Sequence, residues 1–192
     1  MHRFSTMLFS TVLVGALALA YPPKATASTR LPQEDWSWLN DTYWYVTPDD
    51  LPAVATDLTT QQHEPVLDQT VWFIEGYAHG YFWGKTFVQL MGRPRLCLHL
   101  VGSVTPEGAV LITFTLVLPQ LPPELTQKTT GIGRMRLVHG EWRVEMQMTT
   151  GITTLVTHWA YMKQCQEGEE CNQRLPGTQS SLQEFVAPCE QP

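Results

Sequence analysis

The chain is poor in charge, and in positive charge above all. Only 16% of its 192 residues are charged, and its 12 Lys and Arg residues are outnumbered by 18 Asp and Glu residues. The formal net charge is −6, and no basic cluster interrupts the acidic balance. Such a chain lacks the positive patch that attracts phosphate backbones and anionic lipids. We therefore expect no nucleic-acid partner.

The common signatures of catalysis and metal binding are also missing. The chain contains no Gly-x-Ser-x-Gly, no His-Glu-x-x-His and no Cys-x-x-Cys pair. These motifs mark hydrolase nucleophiles, metalloprotease helices and structural zinc sites. The glycines of Gly131-Ile132-Gly133 lack the strand-to-helix setting of a phosphate loop, and the scattered histidines form no ligand spacing. The sequence therefore gives no evidence for catalysis, a metal or a cofactor, and an enzyme is only the third hypothesis for its function.

Long apolar runs are scarce, and the one present stands near the start of the chain. Met7–Ala20 is apolar apart from two hydroxyl residues, and Arg3 precedes it. A helix that crosses a bilayer needs about 20 apolar residues, so this run is too short. Small residues at the −3 and −1 positions allow cleavage after Ala20 or, as we prefer, after Ala27. This pattern is typical of a secretory signal peptide.

The sequence thus predicts a signal peptide over residues 1–27 and a single domain over 28–192. No membrane span remains after cleavage, and the expected location is secreted or periplasmic. The even count of four cysteines then favours two disulfides, for which the sequence allows three connectivities. Cys165 and Cys171 flank a short polar loop that closes easily, which leaves Cys97 to pair with Cys189.

Two segments show the alternation of β-hairpins. In GIGRMRLVHGEWRVEMQMTTG, a two-residue turn at His139-Gly140 sets Leu137 opposite Trp142 and Met135 opposite Val144. In LCLHLVGSVTPEGAVLITFTLVL, a three-residue loop ending at Gly108 places the leucines on one face with Ile112 and Phe114. Cys97 and His99 then point to the opposite face.

Eight strands follow one another, mostly as sequential hairpins, from Thr42–Val46 to the segment TTLVTHWAYM. A long loop, 47–68, separates the first two strands, and a tail with at most a short helix ends the chain. Ser181 and Glu184 have capping-box spacing for that helix. Eight antiparallel strands avoid exposed edges by closing on themselves. The fold prediction is an all-β, eight-stranded, up-and-down antiparallel barrel.

The segment LNDTYWYV resembles the first strand of lipocalin-like (calycin) barrels, in which Gly-x-Trp packs across the barrel floor. Here Asp41 takes the place of the glycine, and two residues separate it from Trp44. The resemblance implies a lipocalin-like barrel. It implies ligand binding only because members of that family commonly bind ligands. The stretches DQTVWFIEGYAHGYFWG and THWAYM are similar to a family of exported bacterial proteins. This similarity implies export but does not point to any particular activity.

Lys85 is the candidate site residue that the pattern leaves most ambiguous. It alternates with aromatic residues in YFWGKTFVQL, so it either pairs with Glu75 inside a ligand cavity or lies on a solvated outer face. The residues predicted to contact a ligand are Trp83, Lys85, Phe114, Trp142, Met146 and Trp159. Phe114, Trp142 and Met146 have plain core packing as their alternative, and Trp83 shares the outer-face alternative of Lys85.

Two functions from different classes fit these features. The first is an exported barrel that binds a small apolar or aromatic molecule in its interior. The second is an envelope protein-interaction module, such as an inhibitor, immunity factor or assembly component, acting through the loop 47–68 and Tyr77–Tyr81. An open internal cavity favours the first, whereas a filled interior favours the second.

Overall fold

The computed structural model describes residues 35–116, 128–150 and 154–189. The predicted signal peptide and its cleavage site lie outside the described residues. The strands are β1 (Thr42–Val46), β2 (Pro52–Asp57), β3 (His63–Ala78), β4 (Tyr81–Leu90), β5 (Leu96–Val104), β6 (Ala109–Thr115), β7 (Lys128–Val138), β8 (Glu141–Thr150) and β9 (Thr154–Gln164). Short helices are 3₁₀ at Trp36–Leu39, Pro48–Asp50, Glu170–Asn172 and Ala187–Cys189, and α at Leu182–Val186 (α1).

The strands form a closed antiparallel barrel. From β3 to β9 each strand pairs with the next, while β1 and β2 both lie between β3 and β9. The second half of β3 pairs with β1 and its first half with β2, so β1 and β2 share one strand position. The barrel therefore has eight strand positions and one extra strand, which confirms the predicted fold class.

The predicted loop 47–68 is wrong, because most of this segment belongs to the barrel wall. After the 3₁₀ turn Pro48–Asp50, which we call the connecting turn, the chain forms β2, and β3 begins at His63. Ala53 and Ala55 are buried and Val54 is 44% exposed, so β2 does alternate. Its small residues and nearby prolines conceal the pattern, since proline within a run argues against a strand.

Both predicted hairpins are confirmed in register. Leu137 lies opposite Trp142, and Met135 lies opposite Val144. His139 and Gly140 both have positive φ, 53° and 84°, as a two-residue type I′ turn requires. Gly108 has a φ of 83° in the other hairpin, where Leu98, Leu100, Ile112 and Phe114 face inward and are buried.

Large side chains fill the described part of the barrel interior. Trp44, Trp72, Phe114 and Met146 face inward, and each is at most 1% exposed. Inward-facing glycines make room for them. A Cβ at Gly102 would overlap the ring of Phe82. This packing makes the described part of the interior a hydrophobic core.

The C-terminal tail packs on the outside of the wall. Leu175, Leu182 and Phe185 cover Val71 and Phe87, which face outward from β3 and β4. These contacts explain why two outward-facing apolar residues are buried. The tail thereby adds a second, smaller apolar layer beside the barrel core.

Two disulfides and a capped helix hold the tail in place. Cys97 on β5 bonds to Cys189, and Cys165 bonds to Cys171, as predicted. Ser181 and Glu184 form the predicted capping box at the start of α1. Within the described residues, no helix is both long and apolar enough to cross a bilayer.

Candidate functional site

The structure separates the six predicted ligand residues into two groups. Phe114 and Met146 are fully buried inside the barrel, and Trp142 is half-buried near one end of it. Trp83 and Trp159 lie on the outer wall, 44% and 50% exposed. The inner and outer groups therefore cannot contact one ligand.

Lys85 is on the outer wall, the second of the two alternatives. Its Nζ lies 3.2 Å from Glu75 Oε1, and both side chains are about a third exposed. The inward positions of β4 are taken by Phe82, Gly84 and Thr86, which fixes Lys85 outside. Ion pairs with this exposure contribute little to stability. The Lys85–Glu75 pair is therefore a surface ion pair and does not hold the fold together.

A group of tryptophans closes one end of the barrel. The 3₁₀ helix Trp36–Leu39, which we call the capping helix, places Trp36 edge-on to Trp142 with ring centroids 5.0 Å apart. Trp38 stacks on Trp142 at 5.9 Å and lies 6.1 Å from Trp44. The Trp36 indole N–H donates to the Thr105 carbonyl at 2.9 Å. These contacts fix the capping helix to the turn between β5 and β6.

A cleft of about 560 Å³ lies beside the capping helix, and we call it the rim cleft. Its walls combine aromatic and aliphatic surface with three polar side chains. Asp35 caps the helix by accepting from the Ser37 N–H at 2.9 Å. Within the described residues, the Tyr77 hydroxyl and the His79 ring make no hydrogen bond. The lining residues are Asp35, Trp36, Tyr77, His79, Gly80, Val104 and Pro106.

A buried ionisable pair, Asp68 on β3 and His158 on β9, lies next to the connecting turn. His158 Nδ1 is 2.9 Å from Asp68 Oδ2, and His158 Nε2 is 2.6 Å from the Asp50 carbonyl oxygen. Thr70 donates to the other oxygen of Asp68 at 3.1 Å. Both His158 and Asp68 are 1% exposed. Since both ring nitrogens face acceptors, the doubly protonated imidazolium fits this site best.

The pKa of His158 results from opposing effects. Burial lowers it, but the hydrogen bond and negative charge of Asp68, together with the Asp50 carbonyl, outweigh burial. The pKa therefore lies above the ordinary histidine value. A histidine base in a Ser-His-Asp site needs its second nitrogen free for the nucleophile. Here a backbone carbonyl occupies that nitrogen, so the pair is structural and anchors the connecting turn to β3 and β9.

Two buried polar atoms inside the barrel have no hydrogen-bond partner among the residues that the structure describes. The Trp72 indole Nε1 and the Thr129 hydroxyl are buried, and neither makes a hydrogen bond within the described residues. Thr129 lies opposite Phe114 in the β6–β7 pairing, and the Trp72 ring is 6.0 Å from Phe114. Buried polar atoms nearly always find a protein or water partner. Each of these atoms could therefore take a water or a ligand atom as its partner.

Exposed apolar side chains from five strands form a band on the outer wall. Cross-strand pairing joins them from β4 to β9, with Thr113 and Gln147 as uncharged neighbours. The members of this outer band are Trp83 (44% exposed), Val101 (57%), Leu111 (55%), Ile132 (61%) and Trp159 (50%). No charged residue stands between them in the register.

No protein-family model, curated protein or solved structure matches the chain significantly. The functional site is therefore defined by the positions and contacts of the residues in the structure. The lipocalin-like resemblance extends no further here than the barrel itself. Local sequence could identify neither the rim cleft nor the outer band, because both join residues from distant strands.

One further grouping has metal-ligand geometry and no metal-binding chemistry. Cys165, Glu169 and Cys171 bring their sulfur and oxygen atoms within 4.8 Å of one another. Both sulfurs are consumed by the disulfide, whereas a metal would need thiolates. Glu169 is instead paired with Lys163 at 3.0 Å.

Proposed function

We propose that this protein is an extracytoplasmic interaction module that docks a partner protein on its outer band. The observation that carries the proposal is the band of exposed Trp, Val, Leu and Ile side chains on β4, β5, β6, β7 and β9, which Gln147 bridges across β8. Single exposed apolar residues are common on soluble proteins, but contiguous patches usually mark interaction sites. The sequence favoured such a module if the barrel interior is filled, and the described interior is packed.

The size of the outer band suits the core of a protein interface. A large aromatic side chain buries on the order of 150–250 Å², so the half-exposed Trp83 and Trp159 together offer about 200 Å². The three exposed aliphatic members of the band add to this area. A stable interface buries roughly 800 Å² on each partner, with an apolar core and a polar rim. Thr113 and Gln147 are polar cross-strand neighbours within the band, and the Arg134–Glu145 cross-strand pair beside it supplies part of such a rim.

The chemistry of the band defines the partner. Because the band holds no charge, a charged surface would lose hydration there without gaining an ion pair. The partner therefore presents an uncharged, largely apolar patch of similar area. Trp83 and Trp159, at opposite ends of the band, are the anchors of this interface, since tryptophan is enriched among residues that dominate binding energy.

Two disulfides indicate a non-cytoplasmic environment. Export through the signal peptide 1–27 is the route that we propose, because the apolar run Met7–Ala20 is too short to span a bilayer. Binding through the uncharged side chains of the band would depend little on ionic strength, because salt screens interactions between charges.

Site-directed photo-cross-linking in the host envelope tests the proposal. A photoreactive phenylalanine analogue replaces Leu111 or Ile132 in the band, and Val54 or Leu58 as matched exposed controls on or beside β2. We expect a discrete cross-linked species from the band positions and none from the controls. An adduct of twice the chain mass would identify the partner as a second copy. Equal products from band and control positions, or none from either, would overturn the proposal.

A second candidate function is the predicted binding of a small apolar or aromatic molecule inside the barrel. The specific observation in its favour is the pair of unpartnered atoms, Trp72 Nε1 and Thr129 Oγ1, beside Phe114. A ligand there would be apolar with one hydrogen-bond acceptor for the indole N–H. Calorimetric titration of the Trp72→Phe variant checks this. A ligand that binds the two proteins equally well does not use that N–H.

A further inference from the structure

We propose that the rim cleft is a binding site for a small organic cation, an amine with an aromatic or aliphatic body. This site is separate from the outer band and does not depend on the proposed docking function. Three observations support it: the volume of the cleft, its fixed walls and the sign of its charge.

The cleft has the size and rigidity of a preformed site. Its volume of about 560 Å³ lies within the roughly 300–1,000 Å³ of small-molecule pockets. One wall, the capping helix, is held by the Trp36–Thr105 hydrogen bond and the tryptophan group beneath it. The opposite wall is the tight turn His79-Gly80, in which both residues have positive φ, 51° and 87°. A ligand would therefore not have to order these walls, which lowers the cost of binding.

The charge of the cleft favours a cation. Among the described residues that line the cleft, Asp35 carries the only carboxylate, and none is Lys or Arg. One Asp35 oxygen accepts from the Ser37 N–H, and the other makes no hydrogen bond within the described residues. The chain as a whole carries a net charge of −6, which adds a long-range attraction for cations.

The aromatic lining supplies the rest of the recognition. Tyr77 is half-buried, so its ring offers a negative face to an ammonium group and its hydroxyl is available as a donor or acceptor. His79 adds a ring nitrogen at the mouth of the cleft. Pro106 is exposed and forms the apolar surface against which an alkyl or aryl body would pack. An ammonium next to Asp35 with its body on Pro106 would use both the charged and the apolar parts of the cleft.

The test uses three probes of nearly equal shape and different charge: phenethylamine, 2-phenylethanol and 3-phenylpropionate. Binding to the full folded chain is measured by calorimetry and by backbone chemical-shift changes. We expect phenethylamine to bind about tenfold tighter than the alcohol, since an exposed ion pair and a cation–π contact add modestly. The carboxylate probe should bind weakest. Shifts should concentrate at Tyr77, Gly80 and Val104.

Asp35→Asn is the deciding variant, and Asp49→Asn is its matched control. Asparagine also caps helices well, so the capping helix should be retained. Asp49 is an exposed acid on the connecting turn, so its change removes the same charge away from the cleft. We expect Asp35→Asn to abolish the preference for the amine, and Asp49→Asn to leave it intact.

The remaining outcomes overturn defined parts of the inference. If all three probes bind the cleft equally, or the carboxylate binds tightest, the assigned ligand class is wrong. If none of the three shifts the cleft resonances at millimolar concentration, the rim cleft is not a site for such molecules. Loss of the preference in both Asn variants would show that net charge, rather than Asp35, selects the cation.

Discussion

At the scale of single residues, His158 is the group whose ionisation matters most for the fold. It lies in a space with no water access, between a carboxylate and a backbone carbonyl. Removing one member of such a buried pair typically costs about 3–5 kcal/mol, because the other charge loses its partner. The pair thus secures the point where β1 ends and β2 begins.

Because the pKa of His158 is raised in the folded state, stability should fall as pH rises. The folded protein retains the proton at pH values where the unfolded chain has released it. The stabilisation is complete below the unfolded pKa of about 6.5 and is lost as pH rises through the folded value. Asp68 and the Asp50 carbonyl are the groups that hold the proton.

Denaturant midpoints measured from pH 5.5 to 9 check this expectation. The midpoint of the unaltered protein should decline over that range. His158→Gln should be less stable at every pH and should lose most of the decline, whereas the exposed control His99→Gln should retain it. A midpoint that stays constant or rises between pH 6.5 and 9 would contradict the assignment.

At the scale of elements, the two disulfides should differ in their contribution to stability. The Cys97–Cys189 bond spans 92 residues, and the Cys165–Cys171 bond spans 6. On the chain-entropy estimate these loops are worth about 4–5 and about 2 kcal/mol. Replacing the first pair with alanine should therefore lower the free energy of unfolding more than replacing the second. Chemical denaturation of the two double variants measures the difference, and the reverse order would refute the estimate.

The hairpins were predictable because their signals are local. His139-Gly140 and Pro106-Glu107-Gly108 specify turn type, and the alternation on either side sets the register. The strand β2 was not predictable in this way. Pro52 and Pro65 argue against strand, and two alanines give a weak apolar face. Its pairing depends on contacts with β9, about a hundred residues later.

The candidate site was less predictable than the fold. Inward and outward positions follow from alternation, so Phe114 and Met146 were correctly placed on the inner face. The pairing of Asp68 with His158 joins residues 90 positions apart, and no local pattern connects them. Likewise, Trp83 and Trp159 become members of one surface only when four intervening strands are ordered between them.

At the scale of the whole molecule, export and oxidation belong together. The large loop closed by Cys97 and Cys189 forms only where thiols are oxidised, so the mature chain should be found outside the cytoplasm. We expect its first residue to be Ser28, following cleavage after Ala27. N-terminal sequencing of protein isolated from the host envelope measures this directly. A sequence that starts at Met1 would exclude cleavage of the signal.

The Cys97–Cys189 bond also determines how the molecule carries tension. When the oxidised protein is pulled by its two ends, the load passes from β5 directly to the tail, and β6 to β9 are bypassed. Only the chain before Cys97 and the few residues after Cys189 can then extend. Reduction releases the bypassed 92 residues, which at 3.3–3.6 Å each add about 300 Å of contour length. Single-molecule extension with and without reductant would measure this difference: the reduced protein should reach a longer contour length than the oxidised one.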